Sequence, residues 1–438
     1  ERQTDGVKLL YHDVETNGIG YVTALFDLSE IEEELLPYAG ILQSVLGIID
    51  TEHYGYGELF NEINVHTGGI GTSLELYTDV TKVEEKEFRA TFEIKGKALY
   101  PKLDVLFAMM REILMESKLG DEKRLKEILS MLKTRLQTSF LSAGHTTAVL
   151  RSLSYTSPIA RFRDITSGIG FYEVVKDLEE NFEERKELLI ENLKKIAGRI
   201  FRKENLMLSY TSAQEGLAVL EKAVPQFADS LHTGEKESHG QCIIHCKKRN
   251  EGFRTSSKVQ YVARTGNFID GGAEYTGALQ ILKVILSYDY LWQNVRVKGG
   301  AYGCMSGFNR IGEGYLVSYR DPNLEKTMEI YEGVVDYLKN FDIDDRDMNK
   351  FIIGTISNLD RPMNPAAKGS RSLNLYMNRI TEEMIRRERE QILDAQQEDI
   401  RGLATVLEAV LAAGELCVIG SEEKIEEAKE MFGEIRTL

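Results

Sequence analysis

Stretches in which hydrophobic and polar residues alternate predict that each half of the chain begins with β-strands. Residues 21–28 and 259–264 are rich in β-branched and aromatic side chains, which favour extended backbone. Residues 315–319 alternate in the same way. Two further apolar segments, 206–211 and 416–421, each lead into a stretch with helical spacing. The pattern therefore predicts a strand–helix unit at the end of each half.

Helices are predicted between these strands, where apolar residues recur at the i, i+3, i+4, i+7 spacing of one helical face. The longest such run is Leu125, Ile128, Leu129, Leu132 and Leu136. Asp121 is a suitable N-cap for this helix, and Gly144 is a suitable stop. Further helices are predicted over 34–49 and 275–288, and Asp321 is predicted to cap another. Strands followed by helices indicate a two-layer α+β domain in each half.

An internal repeat relates the two halves. Residues 59–71 and 291–303 align without a gap and share a leucine, a valine and two glycines. The strand–helix units at 206–211 and 416–421 form a second match in the same order. Two matches in register predict a duplication, and hence two tandem homologous α+β domains.

The boundary between these domains is predicted where the apolar periodicity stops. Residues 229–240 are polar and include two glycines, so they cannot contribute to a core. We therefore predict one domain over 1–228, a linker over 229–240 and a second domain over 241–438.

The composition narrows the possible functions. The 438-residue chain has 54 basic and 70 acidic side chains, which give a formal net charge of −16. Nucleic acids and anionic membranes bind basic surfaces, so neither is an expected partner. Four cysteines are too few for a disulfide framework in so long a chain, which favours a reducing compartment, and we expect a cytoplasmic protein. The longest apolar stretch, 36–49, is too short to cross a membrane.

No zinc site is predicted in this chain. The histidines are His12, His53, His66, His145, His232, His239 and His245. No two of them are four residues apart, as the helical zinc motifs of peptidases require. The one cluster of ligand-type residues is His239, Cys242, His245 and Cys246. Residues 242–246 have the pattern of a strand, in which His245 and Cys246 would point to opposite faces, so we interpret the cluster as structural.

Two other chemical interpretations are weaker than their structural alternatives. The sequence places no histidine near Cys304, which favours a small buried side chain over a nucleophile. The glycine-rich residues 67–73 lack the lysine of a phosphate-binding loop. We interpret them as the turn between a helix and a strand.

The segment between residues 291 and 323 resembles a known family. Residues 291–303 read Leu-Trp-x-x-Val-Arg-Val-Lys-Gly-Gly-Ala-Tyr-Gly, and residues 318–323 read Ser-Tyr-Arg-Asp-Pro-Asn. This combination closely resembles the C-terminal half of the presequence-protease subfamily of the pitrilysin and insulinase-type zinc peptidases. Parts of residues 26–70 are similar to the same subfamily.

The resemblance implies a fold and a partner. In this family two halves, each of two α+β domains with an antiparallel-rich sheet packed by helices, enclose a chamber for unstructured peptides. The inverted His-x-x-Glu-His zinc motif lies in the first domain. This chain lacks the motif and begins at Glu1, so we expect a piece of a longer enzyme, with 1–228 as its third domain and 241–438 as its fourth. Zinc would be bound by the absent N-terminal half, the expected partner, and not by this chain.

The resemblance also implies functional residues. An arginine and a tyrosine of the fourth domain reach the substrate backbone in this family, and they map onto Arg296 and Tyr302. Peptide hydrolysis builds negative charge on the scissile oxygen, which a phenol can stabilise while a guanidinium holds carbonyls. Gly299 and Gly300 would let substrate backbone approach closely, and Arg320 is a further candidate for substrate binding.

The first repeat provides an internal comparison for this pair. Asn64 and Ile70 stand at the positions of Arg296 and Tyr302, whereas a pair that served only the fold could be expected in both copies. We therefore predict the C-terminal half of a zinc-dependent oligopeptidase that closes the chamber, positions the substrate and is inactive alone. The alternative is a catalytically inactive structural or peptide-binding subunit of the same fold.

Overall fold

The computed structural model describes residues 1–233 and 242–438, whose strands form two six-stranded sheets. The first sheet consists of β1 (Arg2–Thr4), β2 (Val7–Asp13), β3 (Ile19–Asp27), β4 (Ile70–Thr78), β5 (Phe88–Leu99) and β6 (Leu206–Ser212). The second consists of β7 (Glu251–Thr255), β8 (Tyr261–Asn267), β9 (Gly303–Phe308), β10 (Glu313–Tyr319), β11 (Glu415–Ser421) and β12 (Glu434–Thr437).

Helices cover these sheets, so the predicted α+β class is confirmed. The first half contains α1 (Leu36–Val45), α2 (Tyr56–His66), α3 (Leu103–Met115), α4 (Glu122–Ser142), α5 (Gly144–Leu153), α6 (Pro158–Ser167), α7 (Ile169–Glu180), α8 (Phe182–Ile200) and α9 (Gln214–Asp229). The second half contains α10 (Ala278–Tyr288), α11 (Glu325–Glu332), α12 (Val334–Lys339), α13 (Asp345–Leu359), α14 (Pro365–Met377), α15 (Glu382–Leu393), α16 (Gln397–Gly402), α17 (Ala404–Ala412) and α18 (Glu422–Glu427). Asp121 caps α4 as expected, because its side chain accepts a hydrogen bond from the Arg124 amide.

Five strands of each sheet have the same arrangement. The strand orders are β1-β2-β6-β3-β5-β4 and β12-β7-β11-β8-β10-β9. In both, the second and third strands are parallel and the remaining inner pairs are antiparallel. Only the first strand differs, since β1 is antiparallel to β2 whereas β12 is parallel to β7. The shared topology supports the predicted duplication, while the boundaries at 228 and 241 stay a prediction.

The strand predicted over residues 242–246 is wrong. These residues have no strand pairing, and β7 begins only at Glu251. The Cys242 amide donates to the Ser29 carbonyl at 2.7 Å, and His245 Nδ1 lies 2.9 Å from Glu33 Oε2. The segment is therefore held by the first half of the chain instead of by a neighbouring strand. His239 lies outside the described residues.

Each half also contributes a helix to the sheet of the other half. α5 packs on β8, β10 and β11, and α14 packs on β2, β4 and β6. Under α14, a small apolar cluster contains Leu10, Leu25, Tyr77, Met207 and Leu373. The two halves are thus linked by reciprocal packing as well as by the connecting chain.

His12 lies at the contact between β2 and α14 and makes stability depend on pH. Its ring nitrogens lie 2.9 Å from Ser209 Oγ and from Ser372 Oγ, and burial lowers its pKa to about 4. The unfolded chain binds this proton near pH 6.5, so the free energy of unfolding should fall as the pH drops from 6.5 to 4, by about 3 kcal/mol.

Urea unfolding at pH 7 and at pH 4.5 checks this effect against His12→Asn. The variant cannot titrate, so its loss of stability between the two pH values should be smaller than that of the wild type by most of this amount. An identical pH dependence in both proteins would contradict the prediction.

Candidate substrate-contact site

Arg296 lies on a π-helix that follows α10. This helix spans Trp292–Val297, and the Lys298 amide donates to the Gln293 carbonyl across the wide i−5 spacing. Val295 points into the core, whereas the Arg296 guanidinium lies over the Trp292 ring, 4.1 Å from its centroid. Single π-turns occur frequently at functional sites, where they redirect one side chain relative to its neighbours. Here the cation–π contact fixes the direction of the arginine.

Gly299 and Gly300 form the turn between the π-helix and β9. A Cβ atom on Gly299 would lie 2.4 Å from the Val295 carbonyl oxygen, and Gly300 has a φ of +85°. Asn323 Nδ2 donates to the Gly299 carbonyl at 2.6 Å and holds the turn from outside. Both glycines are therefore required by the local backbone, and their predicted contact with substrate stays a prediction.

Tyr302 stands beside Arg296 at the start of β9. Its amide donates to the Tyr319 carbonyl at 3.0 Å, which fixes the backbone, while its side chain is 66% exposed. The Arg296 guanidinium lies 5.7 Å from the centre of the Tyr302 ring. The structure thus brings the two predicted residues together with one polar end of each open to solvent.

Arg320 borders the same site from the end of β10. It has a φ of +48°, an unusual backbone conformation for a residue with a side chain. Its guanidinium lies 5.4 Å from the Tyr319 ring centre and hydrogen-bonds Tyr261, whose pKa is raised by burial and partly lowered by this contact. Arg320 is therefore adjacent to the predicted pair, but most of its contacts are with aromatic rings of the sheet.

Asp321 has a different role from the predicted helix cap. α11 begins only at Glu325, and Asp321 is fully buried. Its carboxylate accepts hydrogen bonds from Thr327 Oγ1 at 2.6 Å and from the Asn323 amide at 2.9 Å. Burial raises the pKa of this carboxyl, and these hydrogen bonds oppose the increase. Asp321 thus fixes the segment whose Asn323 side chain holds the glycine turn.

Sequence reasoning missed the aromatic residues around the pair. The Tyr319 ring packs edge-on against Tyr302, with centroids 5.8 Å apart, and Tyr261 lies 5.7 Å from Tyr319. His145, from α5 of the first half, lies 4.8 Å from Tyr319. Tyr319 could have been found from the motif at 318–323. His145 could not, because only the packing of α5 on the second sheet brings it here.

The corresponding region of the first half carries no such pair. Asn64 Nδ2 donates to the Phe60 carbonyl within α2, and Ile70 begins β4. α2 is an ordinary α-helix where the second half has a π-helix. The two halves therefore share topology and differ in both the backbone and the chemistry of this region.

The residues beside Arg296 and Tyr302 do not fit a zinc ion. Arginine, tyrosine and tryptophan side chains make up this surface, and zinc prefers cysteine, histidine and carboxylate ligands. Among the described residues, no group of three or more such ligands could hold a metal. We therefore derive no chemical step from a metal held by this chain.

Comparisons with known proteins agree with this architecture. Residues 1–178 match the family model for the associated domain of M16 peptidases of subfamily C, and residues 250–422 match the model "PreP C-terminal domain". The chain belongs to the M16 peptidases, as the C-terminal half of a presequence-protease-like member. The resemblance inferred from the segment at 291–323 is thereby confirmed.

Several curated relatives cover this M16 half almost completely. It is 37% identical over 440 residues to Protein HypA of Clostridium perfringens, with 100% of this chain and 44% of the relative aligned. It is 30% identical over 426 residues to presequence protease 1, chloroplastic/mitochondrial, of Arabidopsis thaliana, with 97% and 39% aligned. The chain therefore spans less than half the length of these relatives.

Solved structures share the fold at low sequence identity. A conserved protein from Enterococcus faecalis aligns with a TM-score of 0.65 at 15% identity, over 95% of this chain and 97% of that one. A peptidase M16 inactive domain from Pseudomonas fluorescens aligns with a TM-score of 0.61 at 12% identity, over 96% and 97%. Within the described ranges, no helix is long and apolar enough to cross a membrane.

Proposed function

We propose that this chain is the substrate-positioning half of a zinc-dependent oligopeptidase. The proposal rests on one observation above all. Arg296 and Tyr302 lie side by side at the glycine turn of the second half, with the phenol 66% exposed, and the duplicated first half has neither residue. A pair that is exposed and present in one copy only is better explained by contact with a ligand than by a role in folding.

The chemistry of the two side chains fits peptide hydrolysis. The Tyr302 phenol can donate a hydrogen bond to the oxyanion that forms from the scissile carbonyl. The Arg296 guanidinium can donate to neighbouring carbonyl oxygens, and its contact with Trp292 limits the rotamers it must give up on binding. The metal would activate water from the N-terminal half, which supplies its ligands and closes the chamber with this chain.

The substrates proposed for the complete enzyme are unstructured peptides. Two names among the relatives, presequence protease and its chloroplastic/mitochondrial form, describe those proteins, and they support a peptide as the substrate class here. A cytoplasmic location also stays a proposal. It rests on the four cysteines, all of which are free and of which Cys304 and Cys417 are buried.

Reconstitution tests the proposed function. The 438-residue chain alone is expected to bind no stoichiometric zinc and to cleave no peptide. Combined with the N-terminal half, by co-expression or as one polypeptide, it should give a zinc-dependent peptidase, measured by metal analysis and by hydrolysis of unstructured peptides. One tightly held zinc per isolated chain, or no activity in the combined protein, would contradict the proposal and favour an inactive structural or peptide-binding subunit.

Arg296→Ala in the combined enzyme should weaken both substrate binding and turnover. A group that holds backbone carbonyls acts in the ground state and in the transition state alike, so KM should rise and kcat should fall. Asn64→Ala is the matched control at the corresponding position of the first repeat and should leave both constants unchanged. Equal effects of the two substitutions would contradict a role specific to Arg296.

A further inference from the structure

The candidate site is built partly by the first half of the chain. α5 begins at Gly144 directly against the second sheet, where a Cβ atom would lie 2.3 Å from the Tyr261 ring. Only glycine therefore allows the helix to start so close to the sheet. The next residue, His145, is thereby placed among the aromatic side chains that lie behind Tyr302.

Three aromatic contacts connect His145 to the exposed phenol. The His145 and Tyr319 rings meet edge-on, with centroids 4.8 Å apart and an interplanar angle of 74°. The Tyr319 and Tyr302 rings meet in the same way, at 5.8 Å and 70°. His145 also lies 6.3 Å from Tyr261. Edge-to-face geometry is the preferred packing of aromatic rings, so each ring restricts the orientation of the next.

The two tyrosines behind Tyr302 are also fixed by the first half. Tyr261 Oη donates to the Leu141 carbonyl at 2.5 Å, and Tyr319 Oη donates to the Ser142 carbonyl at 3.4 Å. Both acceptors lie in the last turn of α4, where helix carbonyls have no partner within the helix. The end of α4 and the start of α5 therefore hold the sheet residues that support the site.

His145 contributes packing and not a hydrogen bond. Its Nδ1 atom is buried and has no hydrogen-bond partner among the described residues. Burial lowers the pKa of the imidazole, so the ring is neutral near pH 7. The residue thus behaves as an aromatic side chain at this place.

We propose that His145 is a positioning residue, whose ring packs against Tyr319 and thereby holds the Tyr302 phenol in the orientation that the reaction needs. Its importance for catalysis rests on the proposed function, whereas its effect on the orientation of Tyr302 does not. The first half of the chain would then act on a site to which it contributes no substrate-contacting group.

Kinetics of the combined enzyme test the catalytic part of this proposal. His145→Ala should lower kcat about 10-fold, since misplacing a reacting group has effects of this order and more. KM should stay within about twofold, because ground-state binding by Arg296 is untouched. His145→Phe, which keeps an aromatic ring without nitrogen atoms, should restore most of kcat. In a Tyr302→Phe background, His145→Ala should have no further effect, since it acts through the lost hydroxyl.

His12→Ala is the matched control for these measurements. His12 is also a buried histidine at a contact between the halves, but its neighbours are Ser209 and Ser372 and not the aromatic residues behind Tyr302. At pH 7 it should lower the thermal midpoint and leave kcat unchanged. If His145→Ala reduced kcat no more than His12→Ala, or if His145→Phe failed to restore it, the positioning role would be overturned.

Fluorine NMR of the 438-residue chain tests the orientation without any activity. With 3-fluorotyrosine incorporated at position 302, His145→Ala should shift and broaden the resonance, and His145→Phe should return it towards the wild-type position. An unchanged resonance in His145→Ala would overturn the proposal even if the peptidase function holds. Near-normal activity of Tyr302→Phe, together with the expected NMR shifts, would instead refute the proposed function and keep the positioning of Tyr302 by His145.

Discussion

Arg151→Ala is expected to lower the free energy of unfolding by about 3–5 kcal/mol, because it leaves two buried carboxylates without a counter-charge. Arg151 is 2% exposed and belongs to α5. Its Nε and Nη2 atoms donate to the two oxygens of Glu251 at 2.6 and 2.9 Å, and Nη1 donates to Asp164 at 2.6 Å. Asp164 lies in α6 and Glu251 begins β7, so one guanidinium joins both halves of the chain.

Denaturant unfolding measures this loss, and Arg161→Ala is its control. Arg161 Nη1 also donates to Asp164, at 3.1 Å, but its side chain is 24% exposed and Arg151 still neutralises the carboxylate in its absence. The control should therefore cost less than about 1 kcal/mol. A loss below this value for Arg151→Ala would contradict the prediction. It would indicate that water enters the junction and solvates the two carboxylates.

The same network explains why the predicted domains are not independent in the structure. Periodicity along the chain identifies strands and helices, but it carries no information about which sheet a helix covers. α5 therefore appeared to belong to the first domain alone, and α14 to the second. Their exchange is determined by contacts distant in sequence, such as that between Arg151 and Glu251. Because α5 and α14 each pack on the sheet of the other half, we expect one cooperative unfolding transition and not two.

Some elements were missed although the sequence contained them. β5, at Phe88–Leu99, alternates Ala90, Phe92 and Ile94 towards the core with polar residues on the other face, and it was included in a predicted helical region. This period-two alternation was sufficient to predict a strand. The error over residues 242–246 is of another kind. An extended, apolar segment has the same pattern whether it pairs in a sheet or lies along another part of the chain.

The candidate site shows where motif reasoning ends. Arg296 and Tyr302 are six residues apart, so a motif could bring them together, and the glycines between them indicated a turn. The π-helix could not be predicted, because α2 and the segment at Trp292–Val297 have related sequences and different backbones. The contribution of His145 was equally hidden, since it depends on the close approach of α5 at Gly144.

Tyr302→Phe in the combined enzyme should reduce kcat by about 10²–10³ and leave KM nearly unchanged. The substitution removes one hydroxyl and keeps the ring, so the edge-on contact with Tyr319 and the fold should both survive. The hydroxyl has its full effect only when the scissile oxygen becomes negative, which confines the loss to the chemical step. Unfolding of the 438-residue chain, measured in parallel, should show a difference of no more than about 0.5 kcal/mol.

Tyr288→Phe is the matched control for this loss of a hydroxyl. Tyr288 ends α10 and is 70% exposed, close to the 66% of Tyr302, but it makes no ring contact with Arg296 among the described residues. Its kcat should equal that of the wild type. Near-normal kcat/KM for both Tyr302→Phe and Arg296→Ala would favour the structural or peptide-binding subunit. A large loss confined to Tyr302→Phe would instead assign Arg296 to fixing the turn through Trp292, with the phenol as the sole donor that this half supplies to the transition state.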